Sequence, residues 1–169
     1  FIEINVAKQV YGIPEQWSNQ TLSQIKKLPK EVDAKQHTSH EDWTHLPFVT
    51  IDGKDARDFD DAVYVEKDKH GYVVHVAIAD VSHYVQPDTA LDKDASERAT
   101  SVYLPHQVVP MLPFELSNHL CSLVPKQPRL TLAAKIHLDA QGKRLKYSFH
   151  SAIIRSHDRL TYDQVTHMI

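Results

Sequence analysis

The sequence predicts an α+β fold with a mixed, mainly antiparallel sheet and several helices. The segments 48–51 and 62–65 are rich in β-branched and aromatic residues and flank an acidic loop, a pattern typical of neighbouring strands. Residues 130–138 alternate in polarity, with the apolar residues at even-numbered positions, so we expect a half-buried strand with that face inward. The turn at 139–142 then indicates an antiparallel partner over residues 144–149.

Helical spacing of apolar residues predicts two helices before the first strand. They cover residues 1–11 and 18–28, and the second has Ser18 as its N-cap and ends before Pro29. The polar stretch over residues 30–45 is expected to be a linker.

The rest of the chain is predicted from shorter patterns. A hairpin-like turn leads into a strand over 72–79, and residues 88–100 have a helical pattern. The segment 105–128 is interrupted by prolines and is expected to be a loop with a short helical turn near its middle. Thr161 is placed to cap a helix at the C-terminal end of the sequence.

The composition of the 169 residues limits the classes of protein to consider. It is 41% hydrophobic and 24% charged, which excludes disorder as a global description. One cysteine forms no internal disulfide and no cysteine-based zinc site, and no apolar run is long enough to span a bilayer. A net charge of −3 excludes binding of nucleic acid through bulk positive charge, so a polyanion must be held locally, by a metal or by a neighbouring domain.

The densest chemical signal is the acidic segment 52–61, which carries five aspartates in ten residues. Such crowded charges repel one another, and either solvent in a hydrated loop or divalent cations would offset the repulsion. Mg²⁺ takes hard oxygen ligands of this type. An EF-hand counted from Asp52 is excluded, because its sixth and twelfth positions hold Arg57 and Val63 instead of Gly and Glu, although an irregular calcium loop stays open.

Spacing within the segment sets a condition on its geometry. In an extended chain Asp58 and Asp60 share one face and Asp61 points away, so the three converge only if the chain turns sharply. Asp52, at the end of its strand, could meet them there. A cluster of this kind has the composition of a two-metal site for phosphoryl transfer.

Several motifs resemble the ribonuclease II/ribonuclease R (RNB) family of 3′→5′ exoribonucleases, and its ribonuclease R branch most. They occur in the order and at the spacing of that family, at residues 48–52, 55–63, 76–85, 100–105, 110–113, 116–123 and 160–163. The resemblance divides the chain into a helical lead-in and polar linker over 1–46 and the N-terminal portion of an RNB catalytic domain over 47–169. That domain is expected to continue beyond the chain.

The resemblance also implies roles for individual residues. Asp52 and Asp61 match direct Mg²⁺ ligands, Asp58 matches an acid that helps to hold a second ion, and Asp60 matches the acid whose loss removes catalysis. Tyr103 matches the aromatic residue that packs against the 3′-terminal nucleotide. Without the resemblance, an ordinary half-buried tyrosine explains Tyr103 equally well.

The implied function is processive, Mg²⁺-dependent hydrolysis of single-stranded RNA to 5′-nucleoside monophosphates by a monomeric cytoplasmic enzyme with no membrane association. Cold-shock and S1 domains are expected in the full-length chain. The arginine-bearing catalytic segment is expected downstream of Ile169, so we expect the isolated chain to be inactive. Two alternatives stay open, namely a non-catalytic RNA-binding scaffold of the same fold and a calcium-stabilised structural domain.

The other candidate residues carry weaker signals. His37, His40 and His45 do not have the spacing of a zinc site and are expected in a solvated linker. Cys121 lies among apolar residues and is expected in the core, and Asp80 is expected to order a turn.

Overall fold

The computed structural model describes residues 2–169, which form two compact units. The first unit contains the chain up to Pro29 together with residues 82–117, and the second contains residues 30–81 together with 118–169. The structure contains several helices together with a mixed sheet, so the predicted α+β class is confirmed.

The second unit is built on a seven-stranded mixed sheet with the order β1-β8-β7-β4-β3-β2-β9. Its strands are β1 (Glu41–Asp42), β2 (Val49–Asp52), β3 (Asp61–Asp68), β4 (Gly71–Ala79), β7 (Pro128–Asp139), β8 (Arg144–Arg155) and β9 (Asp158–Thr161). Neighbours from β8 to β2 are antiparallel, whereas β1 is parallel to β8 and β9 is parallel to β2. The predicted antiparallel pairing of 130–138 with 144–149 is confirmed.

The first unit is mainly helical. It contains α1 (Ile2–Val10), α2 (Asn19–Ile25), α4 (Ala90–Arg98) and a two-stranded hairpin of β5 (Val102–Leu104) and β6 (Gln107–Val109). The helices predicted over 18–28 and 88–100 are therefore present, although each is shorter than predicted. Strand β6 corrects the expectation of a loop over 105–128. Residue 1 of the predicted helix over 1–11 lies outside the described residues.

The remaining helical segments are short. They are a 3₁₀ turn (Ala34–Gln36), α3 (Val81–Tyr84), a π-helical turn (Leu116–Leu120) and α5 (Tyr162–Met168). Ser18 Oγ accepts a hydrogen bond from Thr21 N, and Thr161 forms a reciprocal capping box with Gln164. Both predicted N-caps are confirmed, because each side chain satisfies a backbone N–H that the helix leaves unpaired.

The segment predicted as a polar linker is partly folded. Glu41 and Asp42 extend the sheet by pairing with Ala152 and Ile153 of β8, and Trp43 is buried. A two-residue strand of acidic residues has no detectable period, which is why sequence patterns miss it. The division at residues 46 and 47 as a domain boundary stays a prediction.

The prediction for the two faces of β7 is wrong at Leu132. This side chain is 50% exposed, whereas Thr131 and Ala133 on the opposite face are buried. The reason lies in what covers that opposite face: the rings of Trp43 and Phe48 approach His75 of β4 at 5.3 and 6.3 Å. His75 is the register partner of Lys135, so this aromatic layer lies on the same face of the sheet as Thr131 and Ala133, opposite Leu132.

Gly71 at the start of β4 is required by a close approach of backbone. A Cβ atom there would collide with the backbone of Leu138 and Asp139, and its φ is +150°. The preceding turn is closed by Asp68 Oδ1, which accepts hydrogen bonds from His70 N and Gly71 N at 2.7 and 2.9 Å. This turn sets the register of the β3–β4 hairpin, and β3 in turn positions the acidic segment at its other end.

Candidate active site

The acidic segment lies where β2 ends and β3 begins. These strands run antiparallel with Val49 opposite Val63, so the C-terminal end of β2 and the N-terminal end of β3 are side by side. Asp52 is the last residue of β2 and pairs with Thr161 of β9. The connection between these two adjacent strands therefore brings Asp52 beside the start of β3, where Asp61 lies.

Asp52 is the most enclosed of the four predicted site aspartates. Burial raises the pKa of its carboxyl group, and the nearby carboxylates of Asp61 and Asp60 raise it further. The hydroxyl of Thr50 and the guanidinium of Arg159 act in the opposite direction, although Thr50 Oγ1 does not reach hydrogen-bonding geometry. Within residues 2–169, Asp52 Oδ2 is buried and has no hydrogen-bond partner. An oxygen in this state favours a cation that can approach it.

Asp60 and Asp61 have exposed side chains on a fixed backbone. The carbonyl of Asp60 accepts a hydrogen bond from Ala79 N at 2.9 Å, and Asp61 pairs with Ile78 in the β3–β4 ladder. The sheet therefore determines where both side chains begin, while their carboxylates stay accessible to solvent and to a ligand.

Asp58 is turned differently. Its side chain is exposed, and Oδ1 accepts a hydrogen bond from Arg57 N at 3.4 Å. The carboxylates of Asp60 and Asp61 are thus near enough to Asp52 to raise its pKa, after the larger effect of burial. The carboxylate of Asp58 instead contacts the preceding loop backbone. In the described part of the chain, no three acidic, histidine or cysteine side chains are already arranged to enclose a metal ion.

The end of the acidic loop is anchored from a distant part of the sequence. Ser122 Oγ accepts a hydrogen bond from Phe59 N at 3.1 Å and donates one to Arg57 O at 3.0 Å. Leu123 N donates to Phe59 O at 2.7 Å. Ser122 therefore has a structural role at the site, which sequence analysis missed because no local pattern connects residues 63 positions apart.

Arg159 contacts the start of the same loop and was also missed. Its Nη2 donates hydrogen bonds to Gly53 O and Lys54 O at 2.7 and 2.6 Å. The only available signal in the sequence was its place beside the Leu160–Asp163 motif, because the strand β9 that carries it was not predicted.

Cys121 is excluded as a nucleophile by its surroundings. The side chain is buried, and burial together with the Asp80 carboxylate raises the pKa of the thiol to about 12. At neutral pH the sulfur is protonated, and only a thiolate attacks electrophiles or binds metals well. The prediction of a core cysteine is confirmed. For Asp80 itself, the backbone N–H donates a hydrogen bond to Leu130 O at 2.9 Å.

The histidines of the segment before β2 do not form a metal site within residues 2–169. The rings of His37 and His40 meet edge to face with centroids 5.7 Å apart, and His45 is exposed. The described chain also contains no helix long and apolar enough to cross a membrane.

Tyr103 lies in the first unit, whereas the four aspartates lie in the second. It is in the middle of β5, pairs with Val108 of β6, and is 67% exposed. An exposed aromatic ring on a strand is able to stack on a base. The alternative of an ordinary half-buried tyrosine does not match this exposure, because the narrow hairpin covers little of the ring; the stacking role stays a prediction.

The fold and these residues define a member of the RNB domain family. The sequence model of the RNB domain matches residues 40–169, and the chain belongs to this family. Ribonuclease R of Escherichia coli (strain K12) is 46% identical over 167 residues, which are 98% of this chain and 20% of that protein. The chain spans between 20% and 37% of the length of the first curated relatives that it matches.

Solved structures agree with the sequence match. Mycoplasma genitalium RNase R in complex with ribose methylated single-stranded RNA superposes with a TM-score of 0.90 at 38% identity, over 97% of this chain and 26% of that one. The yeast pseudonuclease Ssd1 matches with a TM-score of 0.73 at 20% identity, over 84% of this chain and 18% of that one. This last likeness shows the fold alone.

Proposed function

We propose that the chain is part of a Mg²⁺-dependent 3′→5′ exoribonuclease that hydrolyses single-stranded RNA processively to 5′-nucleoside monophosphates. The observation that carries the proposal is the buried, unpartnered Oδ2 of Asp52 beside the carboxylates of Asp60 and Asp61. The match to ribonuclease R proteins over 97% or more of the chain supports the same reading of the site.

The residues present fit Mg²⁺. The donors are carboxylate oxygens. Burial, and after it the repulsion from Asp61 and Asp60, raises the pKa of Asp52, and a bound cation would stabilise the ionised carboxylate against both. Mg²⁺ commonly uses one or two carboxylates and completes its shell with water and substrate phosphate, so a protein cage of three side chains is not required. Asp52 and Asp61 would hold the ion, with Asp58 and Asp60 at a second one. When bound, the ions supply charge stabilisation to the phosphoryl oxygens.

The hydrolytic step itself is assigned to Asp60. Asp60, whose backbone is fixed by Ala79 N, accepts a hydrogen bond from the attacking water and orients it toward the terminal phosphorus. The bond from phosphorus to the 3′ oxygen breaks, a bond to the water oxygen forms, and the products are a nucleoside 5′-monophosphate and a shortened chain with a 3′-hydroxyl.

Tyr103 is proposed to stack on a base near the 3′ end. Stacking is tolerant of sequence, since every base presents a π-face, which suits an enzyme that degrades RNA of any sequence. As the family resemblance implies, we further propose a monomeric, cytoplasmic protein without membrane association whose full-length chain carries cold-shock and S1 domains.

The test is a chimera in which this chain replaces the matching segment of E. coli ribonuclease R. With Mg²⁺, the chimera should shorten a 5′-labelled single-stranded RNA from its 3′ end, and Asp52→Asn combined with Asp61→Asn should stop the reaction. RNA binding without hydrolysis in the unsubstituted chimera would instead indicate a non-catalytic scaffold. Saturable stabilisation of this chain by Ca²⁺ but not by Mg²⁺ would indicate the calcium-stabilised domain.

A further inference from the structure

Arg159 lies at the base of the acidic loop because β9 runs parallel to β2. Its register partner is Thr50, two residues before Asp52. The parallel arrangement brings a side chain from near the end of the chain to a loop more than 100 positions earlier, where no local sequence pattern could place it.

The guanidinium of Arg159 contacts both ends of the loop. Nη2 donates to Gly53 O and Lys54 O, the first two carbonyls after Asp52, at 2.7 and 2.6 Å. The central carbon of the guanidinium lies 5.0 Å from the centre of the Phe59 ring, and Phe59 is buried directly before Asp60. One side chain therefore connects the beginning of the loop to its end.

These contacts place a positive charge beside the aspartates while its two hydrogen bonds go to backbone carbonyls. Within the described residues, Asp52 Oδ2 and Arg159 Nε are both buried and without a hydrogen-bond partner, so the arginine does not pair with this oxygen. An arginine that paired with this carboxylate would neutralise it, whereas an arginine bound to the neighbouring carbonyls leaves its oxygen available to another cation.

We propose that Arg159 is a positioning residue that holds the acidic loop closed around Asp52 and so sets its affinity for a divalent cation. The inference rests on the proposed function, since it concerns the same site. Residues that orient metal ligands without touching the metal typically change metal affinity by about 10–100-fold when they are substituted. Lysine is an incomplete substitute: its ammonium can donate to both carbonyls, as the single Nη2 does, but it lacks the planar guanidinium that packs on the Phe59 ring.

The experiment measures Mn²⁺ binding to this 169-residue chain by electron paramagnetic resonance of the free ion, with Mg²⁺ as competitor. Arg159→Gln should weaken binding about 10-fold or more, and Arg159→Lys, which keeps the charge and the carbonyl donors but not the packing on Phe59, should restore only part of it. Arg155→Gln is the matched control, because it removes the same charge from an exposed residue four positions earlier, and should stay within about twofold of the parent. Asp52→Asn defines loss of the site itself.

A second measurement separates positioning from general stability. Hydrogen exchange of the amides in residues 53–58 should quicken in Arg159→Gln while the amides of β4 and β7 stay protected as in the parent. Parent-like Mn²⁺ affinity in Arg159→Gln, with binding lost in Asp52→Asn, would overturn this inference and leave the proposed function standing. Equal binding by the parent and Asp52→Asn would contradict the proposed metal site and the inference with it.

Discussion

The acidic loop and the β5–β6 hairpin carry the residues that we assign to RNA hydrolysis, and they are held in different ways. The loop is anchored at both ends by contacts from distant parts of its unit, namely Arg159 at its start and Ser122 and Leu123 at its end. The hairpin has three paired positions and leaves Tyr103 67% exposed.

The difference matches what each region has to do. Carboxylates that orient water and cations lose their effect when displaced by about 1 Å, so their backbone must be fixed. Stacking on a base tolerates small changes of ring position and needs an accessible face more than a rigid one. Substitutions in the loop should therefore alter the rate of hydrolysis, and those in the hairpin should alter how the RNA end is held.

The largest effect is expected for Asp60→Asn in the chimera with E. coli ribonuclease R. Single-turnover hydrolysis should fall by about 10²–10³-fold or more, because the group that orients the water is lost in the transition state. RNA affinity should be unchanged or slightly higher, since one negative charge is removed.

Asp55→Asn is the matched control for that substitution. Asp55 is exposed in the same loop and lies outside the proposed set of four, so its loss should cost far less activity. Equal losses for the two variants would mean that the loop acts only through its summed charge.

Tyr103→Ala in the chimera should act on the products more than on the rate. Loss of one stacking contact is worth about 1–3 kcal/mol, so the final RNA fragments should be longer while hydrolysis continues. Gel analysis of the limit products decides this, and an unchanged product length would assign Tyr103 a structural role only.

Asp52→Asn should make this chain more stable while removing cation binding. Since the folded-state pKa is raised above the ordinary value of 3.8, the ionised carboxyl destabilises the fold at neutral pH, and the penalty disappears as the pH falls below 3.8. We expect a gain of about 0.5–1 kcal/mol at pH 7 and none at pH 3, measured by urea unfolding without divalent ions. A loss of stability at pH 7 would contradict the claim that the ionised carboxyl group of Asp52 destabilises the fold.

The smallest effect is expected for His75→Phe, on the pH dependence of stability. His75 lies in the covered face of the sheet, away from the acidic loop. Burial lowers its pKa below 6.5, so the folded state disfavours the proton that the unfolded chain accepts. Its contribution to stability is therefore present above pH 6.5 and is lost as the pH falls through the folded-state pKa. In His75→Phe the decline of unfolding free energy between pH 7 and 5 should be shallower than in the parent.

Sequence patterns predicted the elements that have a clear period or cap. Strands β2, β3, β4, β7 and β8 and the caps Ser18 and Thr161 follow from local chemistry. Strands β1 and β9 were missed because they are short, polar and formed only by pairing with strands distant in sequence.

The candidate site divides in the same way. The four aspartates lie within ten residues of sequence and could be proposed from that segment alone, and their assignment stays a prediction, whereas their grouping depends on how β2 and β3 pair. Arg159 and Ser122 reach the loop only through the tertiary fold, and neither carries a local signal for that role.

The central claim is that Asp52 and its neighbours bind a divalent cation. Crystals of this chain soaked in Mn²⁺, a stand-in for Mg²⁺ with an anomalous signal, test it directly. We predict an anomalous peak within about 2.5 Å of Asp52 Oδ2, consistent with direct oxygen ligation, and its loss in Asp52→Asn crystals. Fully occupied Mn²⁺ elsewhere in the parent, with no density beside Asp52, would contradict the claim.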